Sequence, residues 1–96
     1  MSRQTIAVDC RPDAAGWSCI VTVGDDPAAT RHVVEVTRDV LGRLRPTADA
    51  PEQLVRDSFA FLLEREARES ILGSFDLPLI GRYFPEWEAA VRRSAG

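Results

Sequence analysis

Three side chains in the first third of the chain have the chemistry to bind a metal or activate a nucleophile: Cys10, Cys19 and His32. His32 is the only histidine, so a serine or cysteine triad has no other imidazole to use. If Val23 pairs with Thr30 across two strands, Val21 faces His32 and Cys19 lies diagonal to it. If Cys10 pairs with Trp17, Cys19 is also diagonal to Cys10. The three residues then share one face, as a three-ligand zinc site or a Cys–His dyad requires. The spacing, however, contains no Cys-x-x-Cys or His-x-x-His clip. Buried cysteines also behave as small hydrophobes. The residues are therefore expected to be core cysteines and a strand histidine, with no catalytic residue, no metal site and no cofactor.

Other chemistries lack their residues. All 12 basic residues are arginines, so no Schiff-base lysine and no Walker-type phosphate lysine exists. The absent Lys and Asn both have AT-rich codons, which points to a bacterial gene of high GC content. Glycines 16, 24, 42, 73, 81 and 96 form neither GxGxxG nor a P-loop. Glu64, Glu66 and Glu69 alternate with Arg65 and Arg68, a pattern of local ion pairs on a solvated face. The formal net charge of -3 disfavours a non-specific nucleic-acid binder and attachment to anionic lipid.

The elements that position these residues follow from periodicity. A length of 96 residues with 45% apolar content implies one domain, 1–96, with a real core. Residues Gln4 to Cys10, Trp17 to Val23 and Arg31 to Thr37 alternate with period two. Turn residues separate them, so an antiparallel three-stranded meander is expected. Ile6, Val8, Trp17, Cys19, Val21, Val34 and Val36 should face the core.

Thr37 can cap a short helix carrying Val40, Leu41 and Leu44, ended by Arg45-Pro46. Asp49 and Glu52 read as a capping box for a helix with Leu54, Val55, Phe59, Phe61 and Leu62. Gly73 reads as a helix stop and Asp76 as the cap of a further short helix. The fold class is α+β: the three-stranded antiparallel β-meander followed by three to four α-helices packed on one face.

The C-terminal segment carries the functional expectation. Leu77, Ile80, Phe84, Trp87 and Val91 recur at steps of three and four. Such a narrow seam suits one facing helix, and Pro85 divides it. Tyr83, Phe84 and Trp87 form an aromatic cluster of the kind that anchors interfaces. Leu77, Ile80, Tyr83, Phe84 and Trp87 are thus the expected partner-binding residues, on a stripe only partly covered within one chain.

The stretch from Arg31 to Glu66, RHVVEVTRDVLGRLRPTADAPEQLVRDSFAFLLERE, resembles the ribbon-helix-helix regulators, many of which are antitoxins. That resemblance implies a DNA-binding dimer in which Arg31, Arg38 and Arg43 contact nucleic acid. A small sheet followed by helices is also similar to the HicB-type antitoxins. The run SFAFLLEREARESILGSFDLPLIGRYFPEWE resembles a group of small uncharacterised actinobacterial proteins of similar length, which implies one intact domain and no particular activity.

The sequence therefore points to a small non-enzymatic binding or regulatory protein acting through a protein partner or a homodimer, with an antitoxin-like role as its specific form. A DNA-binding regulator is the alternative. No stretch approaches the length of a membrane span, and Met1 to Val8 contains no apolar leader. The expected setting is cytoplasmic, with both cysteines reduced and no disulfide between them.

Overall fold

Alternation of β-branched and small residues builds the first half of the protein. In the computed structural model, which describes residues 4–94, β1 spans Ile6–Pro12, β2 Gly16–Val23 and β3 Thr30–Thr37. All three pair antiparallel in chain order. On β2 and β3 the inward positions Cys19, Val21, Val23, His32, Val34 and Val36 are buried. Ile6, Val8, Cys10 and Trp17 are half-buried against the same core. On the opposite face Ala7, Asp9, Arg11, Arg31 and Val33 are exposed, and Ser18, Ile20, Thr22 and Glu35 are half-buried. One face of the sheet is therefore covered and the other is open to water.

Two glycines let the chain turn where it must. A Cβ on Gly16 would collide with the carbonyl oxygen of Val36 and the Cα of Thr37, so only glycine fits where β2 starts beside the end of β3. Gly24 has φ 96°, a left-handed conformation that opens the turn from β2 to β3.

The helices fill the covered face. Helix α1 spans Arg38–Leu44, and the Thr37 hydroxyl accepts a hydrogen bond from the Val40 amide at 3.2 Å, as its position predicts. Helix α2 spans Glu52–Leu63 and buries Leu54, Val55, Ser58, Phe59, Phe61 and Leu62. The expected Asp49 capping box does not form: Pro51 occupies the N-cap without a side-chain bond. A 3₁₀ turn at Arg68–Ser70 leads to β4, Ser74–Asp76. Helix α3, Leu79–Tyr83, also lacks a side-chain cap, so Asp76 does not play that role. Helix α4 spans Trp87–Ser94.

The strand β4 changes the topology. It pairs parallel to β3, with Val34 opposite Phe75, and the sheet becomes four-stranded and mixed in the order β1-β2-β3-β4. The first three strands form the expected antiparallel run, but the sheet is not a simple meander. Gly73, expected as a helix stop, instead hands its carbonyl to the Val33 amide at 2.8 Å. Four α-helices pack on one face, consistent with the α+β class.

Phe59 sits at the centre of this layer. It is fully buried, its ring lies 5.4 Å from His32 and 6.1 Å from Phe75, and it joins three elements. Phe59→Ala is expected to destabilise the protein by about 3–5 kcal/mol in denaturant titration. A loss below roughly 1 kcal/mol would show that α2 presents another face to the sheet.

Candidate functional site

The candidate residues of the first third are spent on structure. Asp13 accepts from the amides of Ala15 and Gly16 at 3.0 and 2.9 Å and closes a tight turn. Strand β1 therefore runs on to Pro12, and Pro12 rather than Cys10 opposes Trp17. This two-residue shift sets Cys10 directly opposite Cys19. Ladder hydrogen bonds fall at Thr5–Gly24 and Asp13–Gly16, so alternation makes Cys10–Cys19 a non-hydrogen-bonded pair, where backbones approach most closely. The Cα atoms are 4.0 Å apart and the sulfurs are joined in a disulfide. The expectation of two reduced thiols is thus corrected.

His32 is 2% exposed. Its Nδ1 lies 2.8 Å from the Leu72 carbonyl and its Nε2 2.9 Å from the Thr30 hydroxyl. A neutral imidazole protonated on Nδ1 donates to the first and accepts from the second, which satisfies both groups. The ring pins the segment leading into β4 onto β3. With both sulfurs in one bond and both ring nitrogens engaged, the three residues offer neither a ligand set nor a nucleophile–base pair.

The three arginines of the nucleic-acid alternative are not brought together. Arg31 and Arg38 flank opposite ends of β3, about 20 Å apart at strand rise. Arg38 lies over the Trp17 ring at 5.6 Å and donates to the Ala14 carbonyl. Arg43 binds Glu88 at 2.6 Å, a hydrogen bond that raises its pKa and holds the Glu88 carboxyl below the usual range. Strand β3 is paired on both edges, so it has no free edge for an intermolecular ribbon.

The C-terminal seam divides in two. Leu77 and Trp87 are 0% exposed and Ile80 is 3% exposed. The Trp87 indole donates to the Ser58 hydroxyl at 3.1 Å, and Ser58 donates to the Leu54 carbonyl at 2.8 Å. The seam's facing helix is this chain's own α2. The expectation of a stripe left half-covered along Leu77, Ile80 and Trp87 is therefore corrected: these residues are core. Phe84 is half-buried, edge-on to Phe61 at 5.9 Å, and Tyr83 stands 67% exposed.

Ile80, Tyr83 and Phe84 nevertheless line a surface groove of about 250 Å³. Leu62, Ile71, Leu72, Phe75 and Leu79 complete its apolar walls, and Glu66 and Ser70 are its polar members. Leu72, 49% exposed, and Tyr83 are the most open of its apolar members. Sequence periodicity could not find Leu72 or Phe75, because the segment 70–76 has no regular repeat. Its one signal was two apolar residues, Ile71 and Leu72, just before Gly73.

A buried latch was missed as well. Arg45, 8% exposed, bonds Asp57 at 2.7 Å and the Val91 carbonyl at 2.8 Å, tying the end of α1 to α2 and α4. Among the described residues no helix is long and apolar enough to cross a membrane. No protein-family model, curated protein or solved structure shows significant similarity to the chain.

Thiol titration of denatured, unreduced protein should find no free cysteine, rising to two per chain after reduction. Two free thiols before reduction would contradict the cross-strand pairing.

Proposed function

We propose that this chain is a non-enzymatic binding protein that works through protein contacts, and that the groove between α2, β4 and α3 is its docking surface. The observation carrying this reading is the pairing of two widely exposed apolar side chains, Leu72 and Tyr83, with an apolar groove. A folded monomer gains nothing from presenting both to water, whereas an interface uses such anchors. Glu66 is the one charged side chain in the lining, so the surface selects for shape and apolar area more than for charge. The volume falls below the roughly 300–1,000 Å³ usual for small-molecule clefts and suits one or two anchor side chains of a protein segment.

An antitoxin-like role, with a segment of a co-expressed protein in the groove, is the specific form supported by the arrangement of a small sheet followed by helices. The Cys10–Cys19 disulfide favours an oxidising setting, so the cytoplasmic setting expected from the sequence requires this bond to survive cellular reductants.

Photo-crosslinking residues placed at Leu72, Tyr83 and the exposed loop position Thr47 test the reading in producing cells. One dominant protein adduct is expected at positions 72 and 83 and absent at 47. No adduct, or the same adducts at all three positions, would contradict a docking role for the groove.

A further inference from the structure

We propose that two copies of this chain pair through the outer edge of β1, in antiparallel register about Cys10, to form one continuous eight-stranded sheet. This surface is separate from the groove and rests on different observations.

The first observation is the direction of the backbone groups. Ladder bonds to β2 fall at odd-numbered positions of β1, as the Thr5–Gly24 and Asp13–Gly16 bonds show. The amides and carbonyls of Val8 and Cys10 therefore point away from the sheet. Among the described residues no strand pairs with that side. No proline interrupts residues 6–11, so the edge is a ready template for another strand.

The second observation is the burial gradient. Inward residues of β2 and β3 are 0–2% exposed at Cys19, Val21, Val23, His32, Val34 and Val36. Those of β1, namely Ile6, Val8 and Cys10, remain half-buried beside α2. The core is incomplete at this edge, and a strand added there would cover it.

Charge and an edge contact select the register. Outward-facing Asp9 and Arg11 have no ion-pair partner among the described residues. Two-fold pairing about Cys10 sets Asp9 opposite the Arg11 of the second copy, twice. Pairing about Asp9 would set like charges face to face, which destabilises a strand pair. Pairing about Val8 would need the Ile6 carbonyl, which already accepts a hydrogen bond from Arg56. In the favoured register the contact runs from Val8 to Pro12, whose carbonyl accepts from the Val8 amide of the second copy although its own nitrogen donates nothing, and it leaves Arg56 undisturbed. A two-fold axis normal to the sheet keeps both helix layers on one side.

The test uses light scattering or sedimentation of the full chain at concentrations up to about 1 mM. Twice the chain mass is expected for the unaltered protein. Val8→Pro removes an amide that points away from β2, so it should keep the circular dichroism while weakening the dimer about tenfold or more. Asp9→Arg and Arg11→Asp should each weaken self-association, and mixing the two variants should restore a heterodimer of full strength. A protein monomeric throughout, or a dimer unaffected by Val8→Pro, would overturn the proposal. A mixture that associates no better than either variant alone would overturn the register. Should Val8→Pro fail to fold, the charge-swap mixture decides by itself.

Discussion

Trp87 buries a large indole completely, and its N–H must find an acceptor where no water reaches. The acceptor is Ser58, itself a fully buried polar residue whose hydroxyl donates a hydrogen bond to the Leu54 carbonyl one turn earlier. This short chain of bonds leaves neither side chain unsatisfied and fixes α4 against α2. Much of the C-terminal half follows from it. Gly81 lies beside the Trp87 ring, where a Cβ would stand 3.3 Å from the nearest indole carbon, so α3 is drawn close. Pro85 breaks the chain between α3 and α4, which lets Trp87 turn inward while Tyr83, four residues earlier, turns out. The groove is the consequence of that division.

The sheet supplies the opposing constraint. Its inward face is apolar and its outward face is not, so every helix must pack on one side. The β1–β2 register is fixed twice, by the Asp13 turn and by the Cys10–Cys19 bond. A disulfide closing so short a loop gains less chain entropy than one spanning a domain. Its local effect is to fasten the edge strand, whose inward residues are only half-covered, to the interior of the sheet. His32 fastens the other side by bonding the Leu72 carbonyl just ahead of β4.

The legible parts of the sequence were those in which a local pattern and tertiary burial agree. Period-two alternation placed β1, β2 and β3 and the inward face of each. Thr37 announced the start of α1, and the broad apolar arc of α2 identified Phe59 and Leu62 as core. Three features were not legible. Strand β4 is three residues long, and its pairing is supplied by β3 rather than by any repeat of its own. The register of the first hairpin turned on whether β1 ended at Cys10 or Pro12, and that two-residue difference decides whether the cysteines meet. The C-terminal seam had the right spacing for one facing helix, but spacing does not say whose helix it is. A serine at position 58 in the middle of α2, one turn from Leu54 and Leu62 on the buried face, was the overlooked sign that a polar partner had to arrive there.

The account turns on Trp87 being a core anchor rather than an interface residue, and hydrogen exchange at its indole N–H measures this directly. The bond to Ser58 and complete burial predict exchange as slow as that of the most protected α2 amides, opening only with global unfolding. Exchange at the rate of surface amides would contradict the account. It would mean that the seam is open in the monomer, and that the groove formed by Tyr83, Leu72 and Phe84 is not a fixed feature of the fold.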